Sequence, residues 1–273
     1  MTAGDNAAAM RTHAAHSTAR ETTARALVSR WQHLARSDGD RPRICDLGTG
    51  DGQFLDQVLT ELGITAVIEI VEPDEDLAPA AQQRLRAHGH HVTRISDAGS
   101  CQSVDAYLAA HVLFYLPDID DWFASAIAQL NAGGTLSIVQ RAPTCDGNAL
   151  RALVRHHHGI APKVTSTQLQ RLAAVYSMTT DVVSLSSTFS YPTAHPHLAP
   201  IPAESADPEL ARLLCWLAGL PTHQPLPASL RHKINGFLTY RHVDGVLVLN
   251  QHDLLITSTR TTGTAAPAGH RLT

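Results

Sequence analysis

The chain has 273 residues, 44% hydrophobic and 17% charged, enough for one large domain or one domain with an insertion around a full core. Its 21 Lys and Arg against 25 Asp and Glu give a formal net charge of −4 with no basic run, which argues against a nucleic-acid surface. The four cysteines, Cys45, Cys101, Cys145 and Cys215, lack CxxC spacing, so unpaired thiols, no structural zinc and a reducing cytoplasm are expected.

Residues 1–10 read as disordered, without the basic-then-apolar pattern of a signal peptide, and no apolar run anywhere reaches membrane length. Residues 11–36 read as a helix, with Leu27, Trp31 and Leu34 on one face, ended by Asp38-Gly39-Asp40-Arg41-Pro42. A strand-helix rhythm follows. Strands are predicted at Arg43–Leu47, Ala66–Val71, His91–Ile95, Val104–His111 and Thr135–Gln140. Helices are predicted between them at Phe54–Leu62, Leu77–His88 and Asp120–Leu130. This alternation predicts an α/β fold, a Rossmann-like parallel sheet with helices on both faces.

Beyond Arg141 the pattern changes to a smaller α/β region. Helices are expected at Leu150–His158, Thr167–Tyr176, Leu210–Leu217 and Pro227–Ile234, and a strand at Asp181–Ser187. The Pro- and His-rich stretch 191–208 reads as a loop that serves as lid and substrate wall. Gly236–Arg241 and Val246–Ile256, joined by Asp244-Gly245, read as an antiparallel hairpin. The chain has 17 histidines, but His156-His157-His158 would point about 100° apart on a helix, so no metal site is expected. The division in chain order is an N-terminal helical segment or lid (1–42), a ligand-binding core (43–141), a substrate region with the last strands (142–258) and a disordered tail (259–273).

Ile44 to Gly52 runs strand, glycine turn, helix. Glycines let the backbone adopt positive φ and approach a ligand, and the helix that follows offers free N–H groups. A dinucleotide loop wants G-x-G-x-x-G; Gly48 and Gly50 comply, but Gln53 occupies the third place and the glycine comes one residue early, at Gly52. No Gly-Lys-Ser/Thr ending exists for a P-loop. Glu72 stands at the C-terminal end of the second strand, where a carboxylate can accept both hydroxyls of a ribose. Ser96 and Asp97 end the third strand and are candidates for an adenine edge. The fourth strand ends at Ala110-His111, followed by Phe114 and Tyr115. His111 is the ionisable group at that tip and reads either as a general base or as a cofactor contact. Of the two aromatic residues, one can wall a site and the other belong to the core.

Asp46-Leu47-Gly48-Thr49-Gly50-Asp51-Gly52 resembles the first motif of class I S-adenosylmethionine-dependent methyltransferases. The resemblance implies S-adenosylmethionine as cofactor and S-adenosylhomocysteine as product. It implies Asp46, Gly48, Thr49, Gly50, Gly52, Glu72, Pro73, Ser96, Asp97, Ala110 and His111 as cofactor contacts, with Asp46 directed at the ammonium directly or through water. Val71-Glu72-Pro73, His111 to Ile119 and Gly245 to Gln251 further resemble the histamine N-methyltransferase-like group, as does His16-Ser17-Thr18. That likeness implies His16, Phe114, Tyr115, Asn250 and Gln251 at the substrate and Glu21 beside His111 in catalysis. Ala19, Gln251 and His111 depart from the group's pattern, so histamine itself is not implied.

A pocket rebuilt around a basic His is similar to that of bacterial indole C3-methyltransferases that convert tryptophan-containing cyclodipeptides to pyrroloindolines. N-methylation of an imidazole or amine and O-methylation of a small molecule are the alternatives. The partner expected is a small molecule, with neither nucleic acid nor membrane, and the protein is expected to be a monomer or weak homodimer in the cytoplasm. A binding protein that kept the fold as scaffold is opposed by the intact Asp46, Gly48, Gly50 and Glu72.

Overall fold

A computed structural model describes residues 3–36, 40–101, 103–160 and 165–261. The chain forms two compact units, each drawn from three segments. One, the sheet unit, comprises Thr23–Gln140, Lys163–Val183 and Leu254–Thr273; the other, the helical unit, comprises Met1–Thr22, Arg141–Pro162 and Ser184–Asp253.

In the sheet unit, strands β1 (Arg43–Leu47), β2 (Val67–Val71), β3 (His91–Arg94), β4 (Val104–Ala110) and β5 (Leu130–Arg141) lie parallel in the order β3-β2-β1-β4-β5. The order continues through β8 (Val246–Thr259) to β6 (Thr179–Pro192), which contribute residues 254–259 and 179–183 to this unit. In β1 and β2 every residue but the first is buried, as expected of a parallel sheet covered on both sides. Helices α3 (Gln53–Leu62) and α4 (Leu77–Ala87) connect β1 to β2 and β2 to β3, and α5 (Ile119–Gln129) connects β4 to β5. The strand order reverses at β1, so right-handed crossovers put α3 and α4 on one face and α5 on the other. The Rossmann-like fold read from the alternation is therefore the fold observed.

Local chemistry sets the helix ends. Leu55, Val58 and Leu59 give α3 its buried stripe, and Gly63, at φ 68°, closes it in the left-handed region. Asp118 caps α5 by accepting the N–H groups of Asp120 and Asp121 at 2.9 and 3.0 Å. Helix α2 (Ala19–Trp31) ends on Trp31, wholly buried, whose indole N–H donates to Ser137 Oγ at 3.1 Å.

The helical unit packs α1 (Ala3–Ala15), α6 (Asp146–His158), α8 (Pro208–Ala218) and α9 (Ala228–Thr239) around a core that includes Leu150, Phe189, Leu214 and Leu230, while α7 (Ser166–Val175) belongs to the sheet unit. The expectation of disorder at 1–10 is overturned for residues 3–10, which belong to α1: that helix packs along α8, and Thr12 Oγ1 donates to Glu209 at 2.6 Å; residues 1 and 2 lie outside the described residues. The single helix expected at 11–36 is broken at residues 16–18. There the backbone pairs with β6: Thr18 N–H donates to Thr188 and Ser190 N–H to His16. Ser17 Oγ then accepts the Ala19 N–H, at 3.0 Å, and starts α2.

The stretch 191–208 is not a free lid. Asn235 on α9 holds Leu198 through both its N–H and its C=O, at 2.9 and 3.2 Å. The strand expected at Gly236–Arg241 is the end of α9 instead, because Leu230, Ile234 and Leu238 recur at helical spacing and are all buried. The turn Asp244-Gly245 does join two strands, β7 (His242–Val243) and β8, and both residues have positive φ, 51° and 76°. Residues 37–39, within the expected helix stop, and most of the expected tail, 262–273, lie outside the described residues. The expectation of unpaired cysteines is also overturned. Cys45 on β1 and Cys101 before β4 form a disulfide with Cα atoms 6.8 Å apart, because β1 and β4 are neighbours in the sheet. Cys145 and Cys215 are free and buried.

Trp31→Ala removes the largest side chain between α2 and the sheet and leaves Ser137 without its donor. The expected cost is about 3–5 kcal/mol, read as a lowered urea midpoint of the sheet unit.

Candidate functional site

Ligands of open α/β sheets bind beyond the C-terminal strand ends where the strand order reverses. Here that place lies between the loop after β1 and the loop after β4. Gly48, Gly50 and Gly52 have φ of 71°, 59° and 77°, so the turn from β1 into α3 is left-handed at three alternate positions. A Cβ on Gly48 would stand 2.6 Å from Cγ2 of Val112, in the loop after β4. A Cβ on Gly52 would meet the Ala81 backbone of α4 at 3.0 Å. A Cβ on Gly50 would meet nothing within 4 Å. Two glycines are thus required by packing, and the middle one faces open space.

The loop is anchored from β2. Gly48 N–H donates to the Val71 carbonyl at 2.8 Å. The buried carboxylate of Glu72 accepts the N–H of Gly50 through Oε2 at 2.8 Å and that of Asp74 through Oε1 at 3.0 Å. Glu72 is therefore a loop anchor before it is anything else. Each of its oxygens still has a second lone pair, so accepting ribose hydroxyls remains open to it.

Asp46 closes β1 as a buried carboxyl that accepts from Thr49 Oγ1. Its pKa is pushed up to about 7: burial raises it most, the Thr49 hydroxyl opposes this, and the Glu72 charge adds to the rise. A cation beside Asp46 would relieve both the burial and the Glu72 repulsion. An ammonium group together with open space at Gly50 fits the amino-acid end of S-adenosylmethionine, which is the fit the loop motif implies.

The other expected contacts in the sheet unit fall around these loops. Asp97 accepts Ser100 Oγ at 2.8 Å and Ser96 Oγ at 3.2 Å, and these bonds, led by that of Ser100, hold its carboxyl below the usual range. Both Ser96 and Asp97 are exposed at the end of β3. Ala110 ends β4, and the next residue, His111, is exposed and has φ 55°. A left-handed non-glycine residue costs roughly 1 kcal/mol or more. The His111 N–H is held by the Val139 carbonyl at 2.9 Å. Phe114 and Tyr115 follow with ring centroids 4.3 Å apart; Phe114 is half-buried and Tyr115 is 69% exposed, so Phe114 is the one nearer the core. Pro73 is exposed just after Glu72.

The remaining expected residues belong to the helical unit. Gln251 is buried; its Oε1 accepts from Ser17 Oγ at 2.5 Å and its Nε2 lies 2.5 Å from His13 Nε2. The His13 ring stacks on Phe189 at 5.9 Å, and His16 lies 4.9 Å from Tyr191. His16 and Gln251 thus belong to one aromatic and polar cluster. Asn250 does not join them. Successive strand residues face opposite sides, and the Asn250 side is exposed while its N–H donates to the buried Asp146 at 2.8 Å. Glu21 is exposed in the first turn of α2. Sequence reasoning missed His13, Phe189 and Tyr191, none of which stands in a motif; only distant pairing assembles them. Among the described residues, no three His, Cys, Asp or Glu side chains converge as a metal site would require.

The raised pKa of Asp46 has a defined stability consequence. A carboxyl whose folded pKa lies above its unfolded value loses stability as pH rises between the two. Asp46→Asn is therefore expected to stabilise the free protein progressively from about pH 4 to pH 7, with no further gain above pH 7, in thermal melts across that range.

No family model matches the chain, and no curated protein matches it by sequence. Solved structures do. A Bacillus halodurans C-125 protein described as a methyltransferase aligns with a TM-score of 0.57 at 12% identity, over 86% of this chain and 99% of that one. The YcgJ protein of Bacillus subtilis aligns with a TM-score of 0.53 at 13% identity, over 86% of this chain and 100% of that one. At such identities the likeness is one of fold, and the chain has the α/β, Rossmann-like fold of these neighbours.

Proposed function

We propose that the chain is an S-adenosylmethionine-dependent methyltransferase. The observation that carries this reading is the glycine loop: Glu72 fixes it, Gly50 faces open space, and Asp46 is buried where an added cation would be welcome. When bound, the cofactor's sulfonium supplies an electrophilic methyl group. The chain's own part is to hold and align. Asp46 and the loop take the amino-acid end, Glu72 and Pro73 the ribose, and Ser96 and Asp97 the adenine edge. Alignment of an attacking atom with the methyl group supplies most of the rate enhancement in such a transfer.

The acceptor in this reading is a small nitrogenous aromatic compound of secondary metabolism. Its leading form is indole C3 of a tryptophan-containing cyclodipeptide. There C3 forms the new bond to the methyl carbon as the methyl–sulfur bond breaks. The backbone amide nitrogen then closes on indole C2 and gives up its proton to a base. His111 at the β4 tip, held in a strained backbone conformation, is the base of this reading. From the family resemblance, Glu21 is the second catalytic candidate of this reading, and His16, Phe114, Tyr115, Asn250 and Gln251 are its substrate-binding candidates. N-methylation of an imidazole or amine needs the same base, and O-methylation of a small phenol or acid is the third form. Among the described residues no helix is long and apolar enough to cross a membrane.

Calorimetric titration with S-adenosylmethionine is expected to show binding. Glu72→Ala should weaken it by about tenfold to a hundredfold, since a charged acceptor of two loop N–H groups is lost. Gly50→Arg should abolish it by filling the open space. Absence of binding to the unaltered protein would sink the reading. With an acceptor found by mass spectrometry among cyclodipeptides, imidazoles and amines, His111→Ala should cut turnover about a hundredfold or more at unchanged cofactor affinity. Unchanged turnover would remove His111 from the base role.

A further inference from the structure

Arg94 ends β3 and lies outside the glycine loop, yet its guanidinium reaches across to the turn that follows β2. In register it stands beside Ile70, and Glu72 follows two places further on. Arg94 Nε donates to the Glu72 backbone carbonyl at 3.2 Å. Nη1 and Nη2 donate to the two carboxylate oxygens of Glu75, each at 2.9 Å. One planar fork thus grips the turn Glu72-Pro73-Asp74-Glu75 at both ends.

The turn has reasons to need that grip. Pro73 has no N–H with which to hold it. Asp74 spends its own N–H on Glu72 Oε1, at 3.0 Å, and its side chain on the N–H groups of Asp76 and Leu77, at 2.9 and 3.1 Å. The carboxylates of Glu72, Asp74 and Glu75 follow closely in sequence and repel one another. Arg94 answers that repulsion: its bonds to Glu75 raise its pKa most, and the charges of Glu75 and Glu72 add to the rise. A lysine would bring the charge but not coplanar donors at fixed spacing. A glutamate side chain is long and rotatable, so its carboxylate is placed only as well as the backbone that carries it.

We propose that Arg94 is a positioning residue for ribose recognition. By fixing the backbone of Glu72, it keeps one carboxylate oxygen on the N–H of Gly50 and the other on that of Asp74. The second lone pair of each oxygen is then left for one hydroxyl of a vicinal diol. Arg94 acts through Glu72 and touches no ligand. The identity of the diol as a ribose rests on the methyltransferase reading; the hold on the loop belongs to the free protein. The consequence is selectivity, because a fixed pair of acceptors distinguishes ribose from 2′-deoxyribose and a loose pair does not.

The test compares the unaltered protein with Arg94→Gln and with Glu75→Ala, the latter a side chain 81% exposed whose loss leaves the core intact. In the free protein, amide exchange at Gly50 and Asp74, followed by NMR, should be about tenfold faster in both variants. Exchange at Gly48, whose N–H is held by the Val71 carbonyl, should be unchanged. In calorimetry, the unaltered protein should bind S-adenosylhomocysteine about tenfold or more tighter than its 2′-deoxyribose analogue, as expected for one hydrogen bond to a charged group. Each variant should bind S-adenosylhomocysteine more weakly and cut that ratio to about threefold or less. A mere loss of stability would weaken both ligands alike and keep the ratio. An unchanged ratio, or unchanged exchange at Gly50 and Asp74, overturns the proposal. Absence of binding by the unaltered protein would count against the methyltransferase reading alone, and the exchange rates then decide whether Arg94 holds the loop.

Discussion

The carboxylate of Glu72 fixes the loop after β1 from the neighbouring strand, and the candidate site depends on that hold. Through Gly50 and Asp74 it joins two turns that leave adjacent strands at the same level. A left-handed turn of three alternate glycines has little conformational preference of its own, and an acceptor at its centre selects one path. The same carboxylate places negative charge near Asp46 and adds to the rise of that carboxyl's pKa that burial produces. Anchor and electrostatic neighbour are one group, so the shape of the loop and its appetite for a cation are set together.

The sheet core was legible in the sequence because its signals are local. Buried β-branched runs, glycines at the helix ends and the Asp46–Gly52 loop each lie within a dozen residues, and the strands and helices from Arg43 to Gln140 fall close to where they are expected. The reading failed where distant pairing decides. The break at residues 16–18 exists because β6 offers an edge to their backbone, and nothing within residues 11–36 announces that. The end of α9 carries the β-type residue Phe237, with Tyr240 just after it, but the buried spacing of four makes it helix. Cys45 on β1 and Cys101, just before β4, meet at a sequence separation of 56, far outside any spacing rule.

The candidate residues sort in the same way. Those in the sheet unit follow from the loop motif and the strand ends, and they stand at the C-terminal ends of β1, β2, β3 and β4. In the helical unit, adjacent positions in sequence point to opposite sides of β8, which separates Gln251 from Asn250 despite their shared origin in one resemblance. The partners that hold Gln251, Ser17 and His13, come from the opposite end of the chain. A linear motif can name such a residue but cannot say which face it serves.

The strands β6 and β8 enter the sheet unit only as short terminal pieces, residues 179–183 and 254–259, the latter beside β5. This has a consequence for making fragments of the protein. A truncated gene ending at Arg141 would encode every residue of the glycine loop and all five parallel strands. It would also turn β5, a strand with six consecutive buried residues, into an open edge ready to add strands from other molecules. The minimal soluble piece is therefore set by the late strand that shields β5, and not by the motif that a cloning boundary would be drawn around.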